Sequence, residues 1–399
     1  MSEWDEISLA QAGTWLSGGT PKTSEESFWG GEIPWISAAS LKDFYIESSD
    51  RNVTELGAAN GTRLVPPGTL LFIVRGMSLK SEFRMGITRR TVAFGQDCKA
   101  IIPSPDILPM YLAYALKART EEVLGMVDEA GHGTGRLQTE RIEKLVIRVP
   151  KSLDKQAAVI APLKALDDKI AVNERIAATS RELGLTLFTQ ALLDEKRIET
   201  PVKDITSTLT RGITPKYSES PDDIVVLNQK CIRGGRVNLE PSRLTLAEKV
   251  KAPKLLQPND VLVNSTGVGT LGRVARWTLD VTATVDSHIT IVRFDNSKVD
   301  PVCAGFAMLR AQPEIEALGE GSTGQTELSR GQLGALEITL PSPTQQRELR
   351  KKLDSLEKQG DHAFAESASL AALRDTLLPQ LMSGRLRVRD AEKIVEDAT

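Results

Sequence analysis

Cysteine and histidine are scarce in this chain, three of each in 399 residues. Cys98, Cys231 and Cys303 stand far apart with no paired spacing, which excludes a disulfide framework and leads us to expect ordinary core thiols in a reducing cytoplasm. His132, His288 and His362 are equally dispersed, none at metal-ligand spacing from a cysteine or carboxylate, so no metal site is expected. His288 reads as a sheet-surface residue in mid-strand, and His132 lies in a glycine loop without an evident catalytic partner. No run of eighteen apolar residues occurs and the first residues, MSEWDEISLA, are acidic; we expect neither a membrane span nor a signal peptide. Catalytic signatures are missing as well. There is no G-x-S-x-G elbow, no G-x-x-x-x-G-K-[ST] phosphate loop and no N-P-P-[YF] stretch, so catalysis by this chain itself is not expected.

A surplus of positive charge is also lacking. Residues 1–150 hold 16 Lys and Arg against 19 Asp and Glu, and residues 201–341 hold 16 against 16. The stretches 151–200 and 342–399 balance at 8 against 8 and 10 against 10. Nucleic-acid binders often carry a basic excess, so any such contact here must come from local clusters or be helped by a partner. What is present is a soluble globular composition, 40% apolar and 26% charged. The length calls for two domains or more.

The chain is organised around a long stretch in its middle, from about Ser152 to Lys196. Between Val159 and Leu193 there is no glycine before Gly184 and no proline after Pro162. Leu163, Leu166, Ile170, Leu183 and Leu187, with Asn173, Ala177 and Ser180 between them, follow the 3-4-3-4 spacing of a helix with one narrow apolar seam. A helix of about 35 residues spans roughly 50 Å, which suits a spacer better than a core element. The stretch returns 190 residues later: Leu163 maps to Leu353, Leu166 to Leu356, Leu183 to Leu373 and Leu187 to Leu377. The second seam is Leu349, Leu353, Leu356, Ala363, Leu370, Leu373 and Leu377. Two such stripes are expected to cover each other as a coiled coil.

The flanking segments repeat too. In the first, turns at Gly18–Lys22 and Phe28–Gly31 precede strands at Ile33–Ile36, Thr69–Val74 and Cys98–Ile102, a short helix at Met110–Ala118, a flexible loop at Gly131–Gly135 and a last strand at Leu145–Pro150. In the second, Thr214-Pro215-Lys216 answers Thr20-Pro21-Lys22 at an offset of 194, and Pro258, Gly267 and Pro341 answer Pro67, Gly76 and Pro150 at 191. Asp286 answers Asp97, and Thr323-Gly324 answers Thr134-Gly135, at 189. Offsets confined to 189–194 indicate a tandem duplication of a domain-plus-helix unit whose intervening loops differ.

Gly267–Gly272 fits the letters of a dinucleotide fingerprint, but Arg273–Trp277 after it reads as a strand where that mechanism needs a helix N-terminus. A glycine-rich hairpin is the expectation. Cations cluster in loops instead. Arg75, Lys80, Arg84, Arg89 and Arg90 face only Glu82, and in the second half Lys230, Arg233 and Arg236 share a glycine-containing loop, with Arg273 and Arg276 following the hairpin. Arginine suits guanine and phosphate, and Asn228, Gln229, Asn264 and Gln325 offer the amides that suit adenine. For any one of them a solvated surface is the alternative fate.

With these pieces in order, the chain resembles the specificity subunit of type I restriction–modification systems. The resemblance rests on Gly18–Lys22 with Phe28–Ser37, on Thr134-Gly135 ahead of Pro150 and Gln156, on Thr323-Gly324-Gln325 ahead of Pro341 and Gln345, and on Leu377–Gly384. It covers about 1–388; one departure is Asp194, where analogy with Gly384 calls for glycine. The resemblance implies an α+β fold: two similar α/β target-recognition domains, each followed by a long helix, the two helices packed as an antiparallel coiled coil. The expected segments are 1–151, a central helix 152–200, 201–342, a distal helix 343–388 and a tail 389–399. It implies a non-catalytic subunit that reads double-stranded DNA in two unequal parts. Its implied partners are two methyltransferase subunits, which would carry S-adenosylmethionine, and translocating endonuclease subunits. The DNA-contacting candidates are Lys22, Arg75, Lys80, Arg84, Arg90 and Arg136 in the first domain, and Lys216, Asn228, Lys230, Arg233, Asn264, Arg273 and Gln325 in the second. The helix seam is expected to comprise Leu163, Leu166, Ile170, Leu183 and Leu187 against Leu353, Leu356, Leu370, Leu373 and Leu377. Two other readings of the residues stay open at this point: a coiled-coil scaffold that binds proteins at both ends, and a nucleotide-binding enzyme using Gly267–Gly272.

Overall fold

The computed structural model describes residues 3–130, 133–194, 196–319 and 327–399. Contacts divide the chain into two compact units, one of Met1–Ile170 with Ser369–Thr399, the other of Ala171–Ala368. These are not the linear segments expected above, because each unit takes a part of both long helices.

In the first unit the apolar run ahead of the basic loop becomes the centre of the main sheet. Leu70–Ile73 is buried at every residue, as a strand covered on both faces must be. Five strands order as Gly13–Ser17, Cys98–Pro103, Leu70–Ile73, Met85–Thr88 and Tyr45–Ile46. A second sheet of four runs Asn52–Val53, Trp29–Ile36, Val92–Phe94 and Leu64–Val65. The expected turn at Phe28–Gly31 is thus a correction: Trp29, Gly30 and Gly31 enter the strand, whose register shifts before Ile33 to accommodate them. Likewise Thr134 and Gly135 belong to a strand, Thr134–Leu137, in a three-stranded sheet with Val127–Ala130 and Arg75–Gly76. His132 of that expected loop lies outside the described residues. Trp4–Ser8 pairs antiparallel with Val146–Pro150, joining the first strand of the unit to the last before the helix.

The second unit repeats much of this pairing. Ala100 pairs with Leu71 in the first unit and Ile291 with Leu262 in the second, both partners displaced by 191. The parallel pair Trp35 with Ala93 becomes Val226 with Thr284, again at 191. The closing pair becomes Ile198–Pro201 with Glu337–Leu340. Side-chain locks recur with it. Gln156, wholly buried, donates to Asp106 O (2.8 Å) and Pro150 O (3.0 Å) and accepts from Leu108 N (2.8 Å). Gln346 donates to Pro341 O (2.7 Å) and accepts from Asp300 N (3.0 Å). The counterpart of Gln156 is therefore Gln346, not Gln345. Gln345 faces outward to Ser342, to whose N–H it offers its carbonyl at 3.2 Å. The hairpin expected at Gly267–Gly272 is present, joining Val261–Asn264 to Val274–Arg276. His288 sits in the turn before the strand Ile289–Phe294 rather than within it.

The central helix is Leu153–Ala191 and the distal helix Pro343–Met382, both ending short of the expected segments. Gly384 leaves the distal helix at φ +72°, the left-handed exit that glycine allows at no cost. Asp194 makes a different exit, its carboxylate accepting the Lys196 N–H at 3.0 Å. Residues Val388–Ala398, expected as a tail, form a helix that buries Ala391 and Val395 in the core of the first unit.

Of the expected seam, Leu163, Leu166, Leu370 and Leu377 are buried in the first unit's core, with Ile170 and Leu373 half-buried against it. Leu353 is fully buried in the second unit, while Leu187 and Leu356 are half-buried. Leu183 is a correction: it is 45% exposed, and the seam runs through Gly184 and Phe188 instead. Phe306 is the reason. It stacks on Phe188 with ring centroids 6.3 Å apart, and a Cβ on Gly184 would lie 2.7 Å from its ring. We expect Gly184→Val to destabilise the second unit by about 1–3 kcal/mol through overpacking, read as a lowered denaturation midpoint, with Leu183→Ser near neutral.

A buried carboxylate marks the same repeat position in each unit: Asp167 and Glu357, 190 apart, are 8% and 7% exposed. Asp167 is held by Arg374 of the distal helix at 2.7 Å and by the hydroxyl of Tyr114. Burial and that carboxylate push the Tyr114 phenol up, so it stays a donor. In the second unit Phe306 and Gly184 stand where Tyr114 and Arg374 do, and the sheet residue Arg276 neutralises Glu357 instead.

Candidate nucleic-acid interface

The expected cationic residues meet three different fates. Some remain open: Lys22, Arg75, Arg136, Lys216, Lys230 and Arg233 are exposed. Arg75 and Arg136 are cross-strand neighbours in antiparallel register, and both line a concavity of about 400 Å³ with Gln96, Asp97, Gln138 and Glu140. Neither has a side-chain partner among the described residues.

Others are partly engaged. Lys80 pairs with Glu129 at 2.6 Å, holding that carboxyl below its ordinary range, and Arg84 pairs with Glu82 at 2.8 Å. Arg90 donates to Glu32 O at 3.3 Å. Arg89 lies 3.9 Å above the Tyr45 ring and 3.3 Å from Glu47. Exposed pairs of this kind contribute little and leave the cations available to an incoming anion. Arg273 donates to Gly269 O at 2.7 Å and Ile232 O at 3.5 Å, so it braces the glycine hairpin.

The third group is taken by the fold, which corrects the expectation. Asn264 is wholly buried and donates to Gln229 O at 3.0 Å; it reaches no surface. Asn228 caps a turn, donating to Pro241 O at 2.5 Å and accepting from Lys230 N at 2.9 Å. Gln229 donates to Thr266 O at 2.5 Å. Arg236 is buried against Ala177 O (3.1 Å) and Asp361, and Arg276 against Glu357 and Asp354, the latter at 3.3 Å. Gln325 lies outside the described residues.

Equivalent positions carry unlike chemistry. At an offset of 191 the pair Arg75 and Arg136 becomes Thr266 and Glu327, which form an antiparallel bridge. Leu137 N–H donates to Val74 O, and Leu328 N–H to Ser265 O, both at 2.8 Å, which fixes this correspondence. Arg211, which sequence reasoning missed, pairs with Glu327 at 3.0 Å, and His288 Nδ1 is 2.8 Å from Thr266 Oγ1. Applying the offset of Gly76 and Gly267 to their neighbours would have found Thr266.

The three cysteines are buried, and burial pushes the thiols of Cys98, Cys231 and Cys303 up to about 12, 11 and 12, so they are inert at neutral pH. Among the described residues no helix is long and apolar enough to cross a membrane.

Residues 1–179 match the profile of the type I restriction modification DNA specificity domain. The match covers less than half of the chain, and it is this part that is similar to that family. It is 27% identical over 167 residues to the specificity subunit of the type I restriction enzyme EcoR124I/EcoR124II of Escherichia coli, 41% of this chain and 41% of that protein. It is 26% identical over 196 residues to the MjaIX specificity subunit of Methanocaldococcus jannaschii, 48% of this chain and 44% of that protein. The aligned regions thus span less than half the length of either relative. The fold extends further: the crystal structure of a type I restriction–modification S subunit from M. genitalium superposes with a TM-score of 0.58 at 16% identity, over 95% of this chain and 96% of that one.

Proposed function

We propose that this chain is the DNA-reading, non-catalytic subunit of a type I restriction–modification complex, and that each unit reads one part of a two-part, asymmetric site. One observation carries this reading. The strand register is duplicated at an offset of 191, while the pair at one and the same register position is Arg75 with Arg136 in one unit and Thr266 with Glu327 in the other. A shared scaffold with unlike surfaces is what two unlike half-sites require. Phosphate contacts from scattered cations such as Lys22, Arg90, Lys216, Lys230 and Arg233 would set position, and base-edge contacts would decide sequence.

The two long helices, packed as an antiparallel coiled coil, serve as the spacer between the reading heads, so their length sets the gap in the site. Two methyltransferase subunits carry S-adenosylmethionine and modify adenine, with this chain as their scaffold; translocating endonuclease subunits complete the assembly. These partners enclose the DNA and supply the positive field that a chain of net charge −3 lacks.

Co-expression with a candidate methyltransferase, followed by mapping of modified adenines, tests the reading. Exchanging residues 201–342 for the matching segment of another family member should change one half of the methylated sequence and spare the other. A change in both halves, or in neither, would refute the modular assignment.

A further inference from the structure

Two of the barest large apolar side chains among the described residues are Met77, 76% exposed, and Val268, 92% exposed. They occupy the same position of the repeat, at an offset of 191. A single exposed hydrophobic residue needs no explanation, but the same bare position built into both units, in loops that otherwise differ, does. Each follows a glycine of positive φ, Gly76 at 155° and Gly267 at 102°, so the backbone is bent to present the tip.

The residue before each glycine belongs to the cross-strand pair described above. Arg75 and Arg136 lie directly opposite, on one face of the sheet. Like charges so placed destabilise a sheet unless something neutralises them. Asp128, the other cross-strand neighbour of Arg136, does not: its carboxylate is taken by Arg141 at 2.9 Å and Gln138 at 2.6 Å. Asp97 and Glu140 line the same concavity, but among the described residues neither forms an ion pair with Arg75 or Arg136. The pair is therefore built for acceptor oxygens or nitrogens from outside. In the second unit the corresponding surface offers the carboxylate of Glu327, its side chain 67% exposed despite its pairing with Arg211, beside the half-buried hydroxyl of Thr266, which Gln229 Nε2 (2.6 Å) and His288 Nδ1 (2.8 Å) hold in place.

We propose that Arg75, Met77 and Arg136 form the base-reading tip of the first unit, and Thr266, Val268 and Glu327 that of the second. Met77 and Val268 make the apolar contact with a base, and the flanking pair sets its chemistry. Two guanidinium forks select guanine through O6 and N7; a carboxylate beside a hydroxyl selects a base that presents an amino group. This rests on the DNA-reading function proposed above. Guanine and backbone phosphate offer the same acceptor chemistry, so the test must separate them.

The test is the methylation map of the co-expressed complex for wild type, for Arg75→Thr with Arg136→Glu, for Arg75→Lys with Arg136→Lys, and for Met77→Ser and Val268→Ser singly. All these side chains are exposed, and unchanged assembly and melting temperature confirm intact complexes. The Thr/Glu variant should lose guanine at one or two positions of one half-site, with about ten- to a hundredfold less methylation of the original sequence, and leave the other half unchanged. The lysine variant should loosen the same positions, and each serine variant should lower methylation about tenfold. Methylation weakened equally on every sequence, with a shallower salt dependence, would assign the arginines to phosphate and overturn the proposal. Retained guanine selectivity in the lysine variant, or an unchanged map in all variants, would also overturn it. A wild-type map without any two-part sequence would overturn the DNA-reading function itself, and this proposal with it.

Discussion

Arg276→Ala is expected to cost the second unit about 3–5 kcal/mol, the loss that follows when one partner of a buried ion pair is removed. Arg276 is 1% exposed on its side chain and reaches three groups: the Glu357 carboxylate, Asp354 at 3.3 Å and the amide oxygen of Asn259. Truncation leaves Glu357 buried without its main counter-charge, beside Asp361, whose own partner Arg236 is buried as well. The cost therefore reflects a stranded carboxylate more than a lost attraction. Arg276→Met together with Glu357→Leu removes both charges, and is expected to recover most of the stability. Equilibrium unfolding in urea measures each variant. An Arg276→Ala midpoint indistinguishable from wild type would show that the network carries no stability.

The second large effect concerns the two helices. Matched insertion of one heptad in each, after Val172 and after Ser367, should lengthen the gap of the recognised site by about 3 base pairs, since seven residues add roughly 10 Å and B-DNA rises about 3.4 Å per base pair. Each half-sequence should stay as it is. Insertion in the central helix alone breaks the register of polar contacts, such as Asn173 with Glu366 at 2.7 Å, and should abolish activity. Methylation mapping distinguishes these outcomes. An unchanged gap with full activity from the matched variant would remove the helices from the role of spacer.

Periodicity found what repeats, and geometry decided what does not. The 3-4 spacing located both helices and the seam at Leu163, Leu166, Leu353, Leu370 and Leu377 because each leucine there meets an apolar neighbour. It failed at Leu183, where the larger side chain turns outward and Gly184 admits the Phe306 ring; residue size alone is a poor guide where a partner fills the space. The turn expected at Phe28–Gly31 failed for a related reason, since glycines that signal a bend also allow an irregular strand. Among the candidate contacts, Lys22, Arg75 and Arg136 remained at the surface, whereas Asn264 was drawn inward, as were Arg236 and Arg276 of the basic clusters. Nothing in a one-dimensional pattern says that Arg276 has Glu357 waiting 81 residues further on. The offset of 191 was the most informative signal of all, and its full use would have exposed Met77 and Val268 together.

The pairing of Trp4–Ser8 with Val146–Pro150, and of Ile198–Pro201 with Glu337–Leu340, gives each unit a doorway in which the chain's entrance and exit stand side by side. Everything between those two strands can be replaced without rerouting the rest of the polypeptide. A genetic crossover near either border would thus exchange one unit whole and, on the function proposed above, new combinations of half-sites could arise in a single step, without passing through intermediates that fail to fold.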